Sequence, residues 1–108
     1  PEARIAVLGL AFKANIDDLR ESPALKIAGE IAQRFGKNRV LAVEPNVSEL
    51  PAGLSKYDNV ELAETSTAVS ESDIVVLLVD HDEFANLWGP ELEEKTVIDT
   101  KGLWPRQP

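Results

Sequence analysis

The stretch GLAFKANIDDLRESP, residues 9–23, brings two cations and three acids into one stretch of chain. It follows a short apolar run that predicts a buried strand, and a helical pattern begins after it. Lys13 lies four residues beyond that strand, where an ammonium group can hold a phosphate as a point charge. Arg20 lies just before the predicted helix, whose first N–H groups add partial positive charge. The loop therefore predicts an anion site, with Asp17 and Asp18 holding the cations in place.

The length and the glycine content of this loop restrict what it can bind. About eleven loop residues stand where strand-to-helix connections usually take 2–6. Gly9 is the only glycine in this connection, so the G-x-G-x-x-G turn that cradles a dinucleotide pyrophosphate is missing. A nucleotide would therefore be held by side chains and ordinary loop amides. The alternative is a surface loop whose charges pair in solvent, with Asp17, Asp18 and Ser22 as structural anchors and cap.

Strands and helices alternate along the chain, and the strands are apolar on both faces. This pattern predicts a Rossmann-like three-layer α/β/α sandwich with a mainly parallel sheet. Residues 47–56 carry Pro51 and Gly53 and are expected to be irregular or one helical turn. The predicted strands are Arg4–Gly9, RVLAVEPN, Asn59–Leu62, DIVVLLVD and TVIDTKG, and the predicted helices are Pro23–Phe35, ETSTAVSES and HDEFANLW.

Ligands of such sheets bind at the carboxyl ends of the strands. Those ends are the loop after residue 9, EPN, DHDEF and TKG, and all four carry polar or charged groups. EPN contributes Glu44, at the position where a Rossmann acid binds a ribose hydroxyl, although Pro45 and the missing glycines make it a weak candidate. DHDEF contributes His81, either a base or a polar residue packed under the next helix, and we favour the packed residue.

Composition limits the function further. The chain has 108 residues, which predicts one domain over residues 1–104 with a tail at 105–108. A formal net charge of -8 argues against sequence-independent nucleic-acid binding. There is no cysteine, so the chain has no thiolate metal ligand and no cysteine nucleophile. No membrane-spanning or signal pattern is visible, and a cytoplasmic location is the default. Because a strand begins by Arg4 with no initiator methionine, we expect a fragment of a longer protein.

The motifs resemble a known family. GLAFKANIDDLRESPA is similar to the signature that opens the C-terminal, UDP-binding domain of the UDP-glucose/GDP-mannose dehydrogenase family, and the similarity extends through VEPN, DIVVLLVDHDEF and VIDTKGLW. Within the family, VEPN, LLVDH and DTKG are most similar to members that oxidise UDP-N-acetyl-D-mannosamine. Members that oxidise UDP-glucose more often carry Tyr-Asp-Pro after the second strand, and a Glu-Trp pair instead of Asp80 and His81.

The resemblance implies a three-domain, NAD-dependent enzyme. Its N-terminal Rossmann domain would bind NAD, a helical middle domain would supply a homodimer interface and a nucleophilic cysteine, and this domain would close over the UDP-sugar. The sugar's C6 alcohol would be oxidised to a carboxylate by two NAD in sequence, giving UDP-N-acetylmannosaminuronate for cell-surface polysaccharide synthesis. This chain would bind substrate but could not run the chemistry alone.

By resemblance, Phe12, Lys13 and Lys101 contact the UDP-sugar, and Arg20 reaches the NAD phosphates across the domain cleft. No catalytic or metal-binding residue is expected in the chain. Trp88 and Trp104 are expected to be packing or interface residues. Two alternatives stay open, a UDP-glucose 6-dehydrogenase domain and a stand-alone Rossmann-like nucleotide-binding module without catalysis.

Overall fold

A computed structural model describes residues 3–11, 22–45 and 47–104. Within these residues, five strands form one sheet in the order β3-β2-β1-β4-β5, and the neighbouring strands pair in parallel. This is the strand order of a doubly wound Rossmann sheet, whose switch point lies between β1 and β4. The predicted fold class is confirmed. The elements in chain order are β1 Ile5–Leu8, α1 Pro23–Arg34, β2 Val40–Val43, α2 Ala52–Ser55, β3 Val60–Leu62, α3 Thr65–Glu71, β4 Ile74–Leu77, α4 Asp82–Ala85, α5 Pro90–Glu93 and β5 Thr96–Asp99.

Two apolar cores cover the two faces of the sheet. Alternate residues of β1 divide between them: Ile5 and Val7 pack under α1 and α2, while Ala6 and Leu8 pack under the helices that follow β3 and β4. Strands β1 and β2 are buried along their whole length, which explains their unbroken apolar sequence. Strand β5 lies at the edge of the sheet, and its Ile98 is half exposed.

Helix α1 begins and ends close to its predicted bounds. Ser22 is its N-cap and accepts a hydrogen bond from Leu25 N, and a proline occupies the first turn as expected. Its buried face is formed by alanines at four-residue spacing, which bring the helix close to the sheet. The helical spacing of Ile27 and Phe35 predicts that they share one apolar face with these alanines, but they are 40% and 49% exposed at its flank and its end.

Other predicted elements are shorter than expected. Residues 47–56 contain the single turn α2 and so match the expectation, whereas HDEFANLW, predicted as a helix, contains only the single turn α4. Residues 78–80, predicted as strand, follow the end of β4. Helix α5 was not predicted, because Pro90 reads as a stop signal although it also suits the first position of a helix. No helix in the described ranges is long and apolar enough to cross a membrane.

Candidate functional site

The carboxyl edge of the sheet begins with a sharp turn at Gly9. This residue has φ +99°, and a Cβ built on it would lie 2.5 Å from Val79 Cβ. Gly9 N donates to Val43 O at 2.7 Å, and Leu78 N donates to Leu8 O at 2.9 Å. The end of β1 is therefore held between the ends of β2 and β4, at a separation that leaves no room for a side chain at position 9.

A buried carboxylate lies next to this turn. Glu44 Oε1 accepts hydrogen bonds from Leu10 N at 2.8 Å and from Ala11 N at 3.0 Å. His81 Nε2 lies 2.9 Å from the same oxygen, and both side chains are fully buried. An ionised carboxylate only accepts, so Nε2 carries the hydrogen in this pair. We call these four residues the central anchor; they join the ends of β2, β1 and β4.

The central anchor decides between the interpretations of its two polar residues. The ring of His81 meets that of Phe84 edge to face, with centroids 5.5 Å apart, at the start of α4. This is the packed position favoured from the sequence. Glu44 is turned toward the protein's own N–H groups, and its burial gives a ribose hydroxyl no access in this arrangement. Its role as a backbone anchor was missed from the sequence.

Ser22 closes the other side of the same loop. Its Oγ lies 2.7 Å from Leu10 O and 3.1 Å from Ala11 O, and it donates to these carbonyls while accepting from Leu25 N at 3.2 Å. The residues that precede and follow segment 12–21 therefore meet. The segment itself lies outside the described residues, and with it the predicted site residues Phe12, Lys13 and Arg20 and the acids Asp17 and Asp18.

Lys101, the fourth predicted site residue, lies in the loop after β5. Asp99 Oδ1 accepts from Lys101 N at 3.0 Å, and Oδ2 accepts from Trp104 N at 2.8 Å. Gly102 completes this loop with φ +67°. We call Asp99–Trp104 the edge turn. Lys101 is exposed at the carboxyl edge of the sheet.

The edge turn is fixed by a carboxylate and by two further contacts. Partial burial acts to raise the pKa of Asp99, but hydrogen bonds from the backbone N–H groups of residues 104, 103, 101 and 102 outweigh it and hold that pKa below its ordinary value. Thr100 Oγ1 donates to Leu77 O at 2.6 Å. Trp104 is buried, donates from Nε1 to Phe84 O at 2.8 Å, and packs near Trp88. These two tryptophans thus lie together as packing residues.

A cleft of about 380 Å³ opens at the carboxyl ends of β2 and β3. Residues that line it include Pro45, Val47, Ser48, Glu64 and Thr65. Its lining carries acids and, among the residues that form it, no lysine or arginine, so it does not favour a diphosphate. Among the described residues of the carboxyl edge, the edge turn carries a lysine, Lys101.

A parallel sheet in the order 3-2-1-4-5, with polar loops gathered at its carboxyl edge, defines a Rossmann-type nucleotide-binding domain. Residues 6–106 match the UDP-glucose/GDP-mannose dehydrogenase family, UDP binding domain. The chain belongs to this family, which confirms the resemblance found in its motifs.

Individual named proteins are similar to this chain. The chain is 49% identical over 104 residues to UDP-N-acetyl-D-mannosamine dehydrogenase of Salmonella typhi, covering 95% of this chain and 24% of that protein. It is 50% identical over 103 residues to NDP-N-acetyl-D-galactosaminuronic acid dehydrogenase of Ralstonia nicotianae, covering 95% and 23%. The solved UDP-N-acetyl-mannosamine dehydrogenase Cap5O of Staphylococcus aureus superposes with a TM-score of 0.70 at 31% identity, covering 99% and 24%. The chain thus spans about a quarter of the length of these relatives.

Proposed function

We propose that this chain is the UDP-sugar-binding domain of an NAD-dependent UDP-N-acetyl-D-mannosamine 6-dehydrogenase. The observation that carries the proposal is the match of nearly the whole chain, at 49% identity, to a dehydrogenase of that name. The full-length enzyme would oxidise the sugar's C6 alcohol to a carboxylate, for use in cell-surface polysaccharide. Its other domains would supply the cysteine that this chain lacks and a homodimer interface.

Within this domain we assign substrate contacts to Phe12, Lys13 and Lys101. The exposed position of Lys101 at the carboxyl edge supports its part of this assignment. Two lysines from separate strand ends would focus positive potential in a domain whose formal net charge is -8. The N–H groups of Leu10 and Ala11 donate to the Glu44 carboxylate, so these two amides are not assigned to the diphosphate.

The described residues do not fit the pyrophosphate of NAD in the usual Rossmann manner. The turn after β1 holds one glycine, and its next two amides donate to Glu44 instead of facing outward. We therefore propose that NAD is bound mainly by a domain outside this chain and that Arg20 reaches its phosphates across the cleft.

Turnover by the full-length protein tests the proposed activity. We expect two NADH per UDP-N-acetyl-D-mannosamine, and little NADH with UDP-glucose. The name of the Ralstonia relative, which gives an NDP-linked N-acetyl-D-galactosaminuronic acid, favours an NDP-linked N-acetyl-D-galactosamine as a second candidate substrate, so both N-acetylhexosamines belong in the panel. Absence of NADH with every UDP-hexose would overturn the proposal.

Two substitutions test the division of labour in the loop. Lys13→Ala is expected to raise the KM for the UDP-sugar, and Arg20→Ala the KM for NAD, each by about tenfold for a lost charge-assisted contact. Equal effects of both variants on both ligands would contradict the assignment.

For the isolated chain we expect weak UDP binding in calorimetry, because half of the proposed cleft belongs to other domains. A preference for GDP over UDP would count against the proposed UDP-sugar-binding function.

A further inference from the structure

The central anchor joins three strand ends through one oxygen atom. Glu44 follows β2, Leu10 and Ala11 follow β1, and His81 follows β4, and all four residues are buried. A buried carboxylate is costly unless donors surround it. Here the donors are two consecutive backbone N–H groups and an imidazole, all within 3.0 Å of Oε1. The group is therefore built to hold these two peptides in one orientation.

The same two peptides are held from their carbonyl side. Ser22 Oγ lies 2.7 Å from Leu10 O and 3.1 Å from Ala11 O. Their N–H groups thus face Glu44 and their C=O groups face Ser22, which leaves little freedom of rotation about residues 10 and 11. The next two residues in the chain are Phe12 and Lys13. The orientation of the peptides at residues 10 and 11 therefore sets the direction in which the chain continues beyond Ala11.

We propose that Glu44 and His81 are positioning residues for the UDP-sugar. They set the direction in which the chain leaves β1 at residues 10 and 11, directly before the residues to which substrate contacts are assigned. Glu44 acts through the two amides, and His81 acts by fixing the carboxylate. This inference rests on the proposed function, because the ligand whose binding it affects is the UDP-sugar.

A purely structural role for the central anchor predicts a different result. If the anchor only stabilised the fold, its loss would lower stability without a selective change in substrate affinity. A matched control exists at the opposite edge of the sheet, where Asn59 lies just before β3. Asn59 Nδ2 donates to Ala32 O, Phe35 O and Asn38 O at 3.0–3.2 Å. Asn59→Ala therefore removes a side-chain anchor at the amino ends of the strands, away from Leu10 and Ala11 at the carboxyl end of β1.

The test compares steady-state kinetics of the full-length enzyme and its variants. Glu44→Ala is expected to raise the KM for the UDP-sugar about tenfold or more while the KM for NAD changes less than about twofold. Glu44→Gln, whose amide oxygen still accepts from both N–H groups, should restore most of the affinity. His81→Phe should raise the same KM by a smaller factor, and His81→Gln, which keeps a donor, should recover it. Asn59→Ala should leave both KM values unchanged.

Equal KM changes in the Glu44 and Asn59 variants, or no rescue by Glu44→Gln, would overturn the inference. If Glu44→Ala does not fold, the His81→Phe and His81→Gln pair decides. Hydrogen exchange distinguishes failure of the positioning role from failure of the proposed function. If the wild type oxidises no UDP-hexose, the proposed function fails. The positioning role then still predicts that backbone amides in peptides spanning residues 10–15 exchange hydrogen faster in Glu44→Ala than in Asn59→Ala. Equal exchange would refute the positioning role.

Discussion

The central anchor and the edge turn both hold a loop at the carboxyl edge of the sheet with a carboxylate, but the two carboxylates differ in position and burial. Each uses a carboxylate that follows a strand to accept backbone N–H groups of a loop. Glu44 reaches across to the neighbouring strand β1 and is fully buried beside His81. Asp99 folds its own loop back on itself and stays partly exposed. Glu44 therefore holds a loop to which it does not belong, whereas Asp99 holds the loop that it begins.

The difference in burial decides what each loop can tolerate. When a buried charge or its donor is removed, the remaining partners keep their desolvation cost and gain nothing in return. When a partly exposed carboxylate is removed, water can take its place beside the N–H groups. We therefore expect the central anchor to be rigid and sensitive to substitution, and the edge turn to be tolerant.

Glu44→Ala should have the largest effect on stability. It leaves two buried amides and the His81 imidazole without their carboxylate, and each buried donor left unsatisfied costs about 1–3 kcal/mol. Asp99→Ala should cost about 1 kcal/mol, because its donors can reach water. Urea unfolding of the chain measures both, and Glu44→Gln is the control for shape. Equal losses from the two alanine variants would remove the distinction between the two regions.

Gly9→Ala should come next. The new Cβ would meet Val79 at 2.5 Å on a backbone with φ +99°, so overpacking and backbone strain together cost about 2–4 kcal/mol. Gly102→Ala in the edge turn is the matched control, since φ there is +67° but a Cβ would meet no described residue within 4 Å apart from its chain neighbours. Its cost should be about 1 kcal/mol, from backbone strain alone. Thermal unfolding of both variants checks the prediction, and a larger loss for Gly102→Ala would contradict it.

The sheet could be predicted from the sequence because its strands are local apolar runs. Val40–Val43 and Ile74–Leu77 are buried on both faces, and such runs are typical of parallel strands. The position of Lys101 followed from the same pattern, since it comes directly after the last strand. Helix α5 was missed because Pro90 has the same local signature whether it stops one helix or starts another.

The central anchor could not be predicted, because its contacts are not local. Glu44 is separated from its donors by 33 and 34 residues on one side and 37 on the other. Charged residues are seldom fully buried, so an acid after a strand is ordinarily expected to face solvent or ligand. The signal that was present is the coincidence of Glu44 and the sole histidine at two strand ends that flank β1 in the sheet.

Acid should affect the edge turn in a defined direction. Because folding lowers the pKa of Asp99, the unfolded chain takes up this proton first as the pH falls. The stabilisation from Asp99 is therefore present above the ordinary pKa of 3.8 and is lost as the pH falls through 3.8 toward the lower value in the folded state. The stability difference between wild type and Asp99→Asn should shrink between about pH 5 and pH 3. Unfolding curves at several pH values measure it, and a constant or growing difference would show that Asp99 does not hold the turn.

Lys101→Ala should have the smallest effect on stability and a clear effect on function. Its side chain is exposed, so the melting temperature should match that of the wild type. If it contacts the UDP-sugar as proposed, the KM should rise about tenfold for one lost charge-assisted contact, with Lys101→Arg retaining part of the affinity. Lys95, at the opposite end of β5, donates to Ser72 O and supplies the control, since Lys95→Ala should leave the KM unchanged. Equal KM values for Lys101→Ala and wild type would remove the edge turn from the substrate site and leave the loop beyond the central anchor as the remaining proposed contact with the diphosphate.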